Sequence, residues 1–151
     1  MLDEFTGLLD VAMDREIVSQ SLYVAGRKRT QDPGAIQLLK ELADQELHHY
    51  QWIRDFKEKG EIIAPRHSEK LADLKISEFL NEVNIAEGIG LQDVIIAALK
   101  REQHSIEFYR SMKGVMETPA GRELCDRLTH EEMHHKQKLE LFYDDLIRGE
   151  N

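Results

Sequence analysis

Apolar positions recur along most of this chain at alternating spacings of three and four residues, which is the period of one helix face. The pattern predicts four helices, over residues 3–29, 35–59, 91–117 and 120–148. Asp32 and Thr118 are suited to cap helix starts, and each is followed by a proline. Gly60 is placed to end the second helix. The chain is therefore predicted to be all-α.

The sequence also repeats itself. Residues 15–23 return as residues 101–109, and residues 42–49 return as residues 128–135, each time with an offset of 86. A constant offset over two separate segments indicates a duplicated unit. The repeated unit is a helical hairpin, the first over residues 3–59 and the second over residues 91–148.

Residues 60–90 connect the two hairpins, and residues 77–83 within them have the composition of a short helix. A connection of this length allows the second and third helices to run parallel, as in bundles with one long crossover. A linker without a defined path would have the same sequence. The prediction is one domain over residues 1–151, a four-helix bundle of two tandem hairpins joined by a long crossover.

Each apolar stripe is interrupted by a glutamate near its middle, and two stripes add a histidine one turn later. These residues are Glu16, Glu46, His49, Glu102, Glu132 and His135. Burying four carboxylates at one level of a core is costly unless their charge is balanced. Two divalent cations balance four carboxylates and two neutral imidazoles. One glutamate from each of two helices and Glu-x-x-His from the other two is the ligand pattern of ferritin-like di-metal proteins.

A single Glu-x-x-His on a charged helix is usually solvated surface. Two such motifs in core register, with partner glutamates at the same offset, favour a metal site. The alternatives are a protein that keeps these residues without binding metal, or an error in the assigned helix phase. Oxygen and imidazole donors suit two iron ions, with manganese as the other candidate, better than structural zinc.

Net charge and cysteine content narrow the function classes further. A formal net charge of −9 and a pI near 5.3 disfavour nucleic acid and anionic membranes as partners. Cys125 is the single cysteine, so the chain has neither an internal disulfide nor a Cys-x-x-Cys motif. The longest apolar run, residues 94–99, is far short of the ~20 residues that span a bilayer. With no signal-peptide pattern at the N-terminus, a cytoplasmic protein is expected.

The chain resembles the rubrerythrin branch of the ferritin-like superfamily. The residues that carry the resemblance are Glu16 with Tyr23, residues 42–49, Glu102 with residues 108–109, and residues 131–135. The resemblance implies that Glu16 and Glu102 are terminal ligands, that Glu46 and Glu132 bridge two irons, and that His49 and His135 each bind one. It also implies peroxide, oxygen or ferrous iron as substrate, and a homodimer.

Two features depart from that family pattern. A single cysteine leaves no rubredoxin-like domain, so electrons must come from ferrous iron or from an external donor such as a rubredoxin-type protein. Ser105 stands where rubrerythrins carry an extra carboxylate. The symmetric set of six ligands is similar to the ferroxidase centre of bacterioferritins.

Tyr23 and Tyr109 lie seven residues beyond the terminal glutamates, on the same helix face. One hypothesis is that they donate hydrogen bonds that orient site carboxylates; the alternative is that they are core tyrosines bonded to any nearby carbonyl. Glu131 lies off the stripe, where it can pair with a neighbouring helix. His48, His104, His130 and His134 are also off the stripe and are predicted to be surface or interface residues. Met133 and Cys125 are predicted to have no special role.

The resulting prediction is a rubrerythrin-like di-iron oxidoreductase, of peroxidase or ferroxidase type, with a role in oxidative stress. Two other functions are compatible with the sequence. One is iron binding or storage without redox turnover, and the other is a partner-binding helical domain with a vestigial site.

Overall fold

The computed structural model describes residues 2–60 and 89–149, with side chains from residue 7 onward. The described residues form four α-helices: α1 (Leu2–Arg27), α2 (Pro33–Lys59), α3 (Leu91–Val115) and α4 (Pro119–Gly149). The predicted ends differ from these bounds by two residues at most. The difference at the end of α1 arises because the Lys28 and Arg29 amides close tight turns on Ala25 and Gly26.

The sequence features that mark helix ends act as predicted. The Asp32 side chain accepts a hydrogen bond from the Ala35 amide at 2.9 Å, and Pro33 occupies the first turn, where its missing N–H costs nothing. Thr118 Oγ1 accepts from the Gly121 amide at 3.0 Å in the matching position of the second hairpin. Gly60 adopts φ 69°, a left-handed conformation that favours glycine, and its amide closes α2.

Contacts between the hairpins fix the topology. α1 packs along α2 and α3 along α4, while α1 also contacts α3 and α2 contacts α4. Tyr23 on α1 meets Glu102 on α3, whereas Glu16, earlier in α1, meets Tyr109, later in α3. α1 and α3 are therefore antiparallel. Since α2 is antiparallel to α1, α2 and α3 are parallel.

Parallel α2 and α3 place Lys59 and Leu91 at opposite ends of the bundle. Parallel second and third helices are the arrangement of a ferritin-like bundle with one crossover, so the predicted fold class is confirmed. The short helix predicted at residues 77–83 lies outside the described residues.

The apolar core of the described residues has two large clusters. One is built around Leu9, Ile53, Met112 and Leu128, and the other around Leu39, Leu42, Ile95 and Leu139. A third, small cluster contains Ile17 and Leu47. On every helix the interrupting glutamate falls between residues of the two clusters, so the polar side chains form a layer inside the core. The apolar packing above and below this layer determines the positions of its polar side chains.

Candidate metal centre

The four helices bring all six predicted ligands to one level of the core. Each comes from the buried face of its helix, because each occupies an apolar-stripe position. All six side chains are buried, with relative exposures of 2% or less: Glu16, Glu46, His49, Glu102, Glu132 and His135. Carboxylates this deeply buried are rare unless they are paired or bind a metal.

These side chains form two overlapping groups whose potential ligand atoms lie within 4.8 Å of one another. The first group contains Glu16, Glu46, His49 and Glu132. The second contains Glu46, Glu102, Glu132 and His135. Glu46 and Glu132 therefore belong to both groups, which is the arrangement of two adjacent cation positions with shared carboxylates.

Both histidines turn the same ring nitrogen toward the carboxylates. His135 Nδ1 lies 2.9 Å from Glu46 Oε1, 3.3 Å from Glu132 Oε1 and 3.6 Å from Glu102 Oε1. His49 Nδ1 lies 3.1 Å from Glu132 Oε1 and 3.5 Å from Glu16 Oε2. The two rings stack nearly parallel, with centroids 5.3 Å apart.

The two tyrosines reach across from one hairpin to the other. Tyr23 donates a hydrogen bond to Glu102 Oε1, and Tyr109 donates one to Glu16 Oε1. Both phenols are fully buried. Burial, and then the charge of the bonded glutamate, raise the pKa of each tyrosine well above its usual range, so both remain hydrogen-bond donors.

The pKa values of the carboxyl groups move in opposite directions. Burial and the neighbouring Glu132 charge raise the pKa of Glu102 to about 7 and shift that of Glu46 well above its ordinary value. Burial would also raise the pKa of Glu132, but contacts with His135 and His49 lower it well below the usual range.

The imidazoles respond to the same charges. Burial alone would lower the pKa of His49, but Glu16 and Glu132 together raise it well above its ordinary value. Burial is likewise outweighed at His135, where Glu102 and Glu132 raise the pKa to about 9. The protein itself thus supplies protons as partial compensation for the carboxylate charge.

Several carboxylate oxygens of the centre are buried without a hydrogen-bond partner among the described residues. Every one of the four glutamates has at least one oxygen that receives no hydrogen bond from a described residue: Glu16 Oε2, Glu46 Oε2, Glu102 Oε2 and both oxygens of Glu132. Leaving a buried acceptor unsatisfied costs about 1–3 kcal/mol, and more when it is charged. Coordination to cations would satisfy these oxygens. The six residues therefore fit two oxygen- and nitrogen-liganded divalent ions.

Sequence reasoning missed part of the shell around these ligands. Gln45 Oε1 contacts His135 Nε2, and Gln45 Nε2 donates to Glu41 Oε1 at 3.4 Å. Glu41 also accepts from Lys138 Nζ at 2.6 Å. Gln45 lies four residues before His49 in sequence, a helical spacing that marks it as close to the site but does not show that its partner is His135.

Glu131 is nearer to the site than its position off the stripe indicated. It forms a third group with His49 and His135, within 4.8 Å, although its side chain is only half-buried. The repeat offset, which maps Gln45 onto Glu131, was the available signal.

Other singled-out residues lie away from the ligands. His104, His130, Met133 and His134 are exposed, and His48 is half-buried. Ser105 is buried and supplies no carboxylate. Cys125 is buried in the lower-numbered end of α4, where burial and the Asp126 charge raise the pKa of its thiol to about 11. A buried thiol with a raised pKa stays protonated and is therefore unreactive.

A four-helix bundle with a buried layer of four glutamates and two histidines defines the class of ferritin-like carboxylate proteins. The sequence model of the rubrerythrin family, which is a ferritin-like di-iron family, matches residues 7–143. The chain belongs to that family. The resemblance predicted from Glu16, Tyr23 and the repeated Glu-x-x-His motifs is thereby confirmed.

Structural comparison supports the same fold. The chain is similar to the solved structure of a hypothetical protein, Pfu-1136390-001, from Pyrococcus furiosus, with a TM-score of 0.75 and 19% sequence identity. The match covers 97% of this chain and 92% of the Pyrococcus chain. No curated protein matches the sequence. Among the described helices, none is both long and apolar enough to cross a membrane.

Proposed function

We propose that this protein is a di-iron oxidoreductase of rubrerythrin type, which oxidises ferrous iron or reduces peroxide or oxygen at the centre described above. The observation that carries the proposal is the pair of overlapping four-residue groups, in which each of four buried glutamates has at least one oxygen without a hydrogen bond from a described residue. In this assignment Glu46 and Glu132 would be shared by the two irons. Glu16 with His49 would hold one iron, and Glu102 with His135 would hold the other.

The protein's own residues hold these ligands ready. Gln45 accepts the Nε2 proton of His135, which leaves Nδ1 free to bind a cation among the carboxylates. Tyr23 and Tyr109 hold one oxygen of each terminal glutamate, so that the other oxygen is directed to the metal position. The two apolar clusters on either side keep the layer dry, which strengthens every charge interaction within it.

When bound, two ferrous ions supply two electrons, which with two protons reduce one hydrogen peroxide to two waters, or one oxygen to hydrogen peroxide. Repeated turnover then needs new electrons. Residues 1–151 contain a single cysteine, which is too few to hold a rubredoxin-type iron within them. We therefore assign that role to ferrous iron itself or to a separate rubredoxin-type donor, and place the protein in the cytoplasm as a homodimer.

The experiment is anaerobic titration of metal-free protein with ferrous iron, followed by addition of oxygen or peroxide. We expect saturation at two irons per chain and rapid appearance of the near-ultraviolet absorption of a carboxylate-bound ferric pair. The relative rates with the two oxidants decide between peroxidase and ferroxidase activity. Binding of less than one iron, or no oxidation, would contradict the proposal.

Ligand variants test the assignment of residues. Glu132→Ala and Glu46→Ala should each abolish tight binding of the pair, because each removes a ligand shared by both positions. Glu123→Ala is the matched control. Glu123 lies at the surface of α4, away from the six ligands, and forms an ion pair with Arg127. Two irons retained by either bridging-ligand variant would refute the ligand set.

Particle size separates this function from storage. Mineral storage requires a hollow assembly of many subunits, whereas the proposal expects a dimer. A large cage that accumulates many irons per chain would favour storage.

A further inference from the structure

The two halves of the centre differ in charge at a pair of matched positions beside the histidines. The ligands and tyrosines are identical at the offset of 86, but Gln45 in the first hairpin corresponds to Glu131 in the second. Both side chains are half-buried and both lie at the edge of the layer beside the histidines. A neutral amide in one half is thus replaced by a carboxylate in the other.

The orientation of Gln45 is fixed by its neighbours. Lys138 Nζ lies 2.6 Å from Glu41 Oε1, and Glu41 accepts the Gln45 Nε2 hydrogen bond. Gln45 therefore presents its carbonyl oxygen to His135 Nε2. A carbonyl accepts a hydrogen bond, so His135 carries a proton on Nε2, while Nδ1 faces the carboxylates and would give up its own proton to bind a metal.

Glu131 holds the corresponding position for the other histidine. The offset that maps Gln45 onto Glu131 also maps His135 onto His49, and the Glu131 carboxylate lies within 4.8 Å of ligand nitrogens of both rings. A carboxylate accepts a hydrogen bond from an imidazole more strongly than an amide does. The ring whose proton is held by a carboxylate becomes the better electron donor to a metal.

We propose that Glu131 is a positioning residue for His49 and makes the two metal positions unequal in affinity. The position formed by Glu16, Glu46, His49 and Glu132 then binds its cation before the position formed by Glu46, Glu102, Glu132 and His135. This inference rests on the proposed metal pair. It adds an order of filling that the six ligands alone, being symmetric, do not contain.

Cobalt titration of the metal-free protein tests the order. Co²⁺ does not turn over with oxidants, and its visible spectrum counts occupied positions. Trp52 is the only tryptophan, and its ring lies 5.3 Å from the His49 ring, so its fluorescence reports on the first position. In the native protein we expect two binding steps, with most of the quenching in the first.

Glu131→Gln places the same neutral amide in both halves at this pair of positions. We expect the first affinity to fall by about tenfold or more, and the two steps to merge. The exchange of Gln45→Glu with Glu131→Gln in one protein keeps the net charge and moves the carboxylate beside His135. In that double variant the quenching of Trp52 should shift to the second step. Glu140→Gln, an exposed change on the same helix, controls for charge alone and should leave both steps unchanged.

If Glu131→Gln binds Co²⁺ in the same two steps as the native protein, or if the double variant fills its positions in the native order, this inference is overturned while the metal pair remains intact. Failure of the native protein to bind two Co²⁺ ions would overturn the inference together with the proposed function.

Discussion

Glu46 in the first hairpin and Glu132 in the second occupy matching positions, yet their surroundings differ. Glu132 Oε1 lies between the two imidazoles, 3.1 Å from His49 Nδ1 and 3.3 Å from His135 Nδ1. Glu46 Oε1 forms an ion pair with one of the two imidazoles, at 2.9 Å from His135 Nδ1. Burial and the neighbouring carboxylates raise the pKa of Glu46, whereas the two histidines lower that of Glu132.

Duplication of a hairpin therefore reproduces the ligands but not their electrostatics. In the metal-free protein Glu132 holds its negative charge, while Glu46 favours the protonated form. The difference depends on where the two rings lie between the halves, and a bound metal pair would remove most of it. Each of the predictions below tests whether the halves differ or agree at a particular position.

The largest expected effect is on the stability of the metal-free protein, when the charge of one shared glutamate is removed. Glu132→Gln should destabilise the chelated protein by about 3 kcal/mol, because it leaves two buried imidazoles without their shared anion. Glu46→Gln should change stability by less than about 1 kcal/mol, since this carboxyl is already driven toward neutrality. Urea unfolding in the presence of a chelator measures both. Equal losses would show that the halves are electrostatically alike.

The pH dependence of stability follows from the same shifts. His135, with its pKa raised to about 9, contributes stability that is present below about pH 6.5 and lost as pH rises through about 9. Glu102, raised to about 7, also loses its contribution as pH rises. The free energy of unfolding of the metal-free protein should therefore fall by about 2 kcal/mol between pH 5 and 9.

Metal binding reverses this trend, because cations displace the protons and bind more tightly as pH rises. Thermal unfolding across this pH range, with chelator and with Mn²⁺, measures both trends. Metal-free protein that becomes more stable toward pH 9 would contradict the assigned shifts.

The tyrosines are where the halves should agree. Tyr23→Phe and Tyr109→Phe each remove one buried hydrogen bond to a terminal glutamate, and each should cost about 1.5 kcal/mol. The optical spectrum of the oxidised centre and its oxidation rate should change in both variants. An effect in one variant only would show that the crossed hydrogen bonds are not equivalent, and no spectral change in either would reject the orienting role.

The smallest expected effect tests the ends of the hairpins, which pack differently. Gly26 corresponds to Met112 in the repeat, and a Cβ on Gly26 would lie 2.5 Å from Val94 Cγ1. Gly26→Ala should therefore destabilise by about 1 kcal/mol despite the better helix propensity of alanine. Gly7→Ala, in the same helix with open space around it, should stabilise slightly. Adding Val94→Ala should relieve the clash, and thermal unfolding compares all three.

The helix pattern was sufficient to predict much of the site. Burial follows the three-and-four spacing, so Glu16, Glu46, Glu102 and Glu132 could be placed on core faces before any contact was known. The repeat then related the four helices as two equal pairs. Both inferences concern positions within one helix, whose geometry is nearly the same in every protein.

Contacts between helices could not be predicted in this way. Tyr23 and Glu16 share a helix face, yet Tyr23 bonds Glu102 of the other hairpin. Gln45 is placed beside His49 by spacing, yet it contacts His135. The helix pattern placed Glu131 outside the site, because it lies off the apolar stripe. The packing of α4 against α2 brings its carboxylate near both rings.

The sequence by itself determined the four helices, their caps, the duplication and the six residues that interrupt the apolar faces, because these depend on local backbone geometry and burial. Only the tertiary structure decided which ring nitrogen faces the carboxylates, how the tyrosines cross between hairpins, and how Glu46 and Glu132 come to differ. Those features depend on the register and separation of packed helices, which result from the fit of all side chains in the core together.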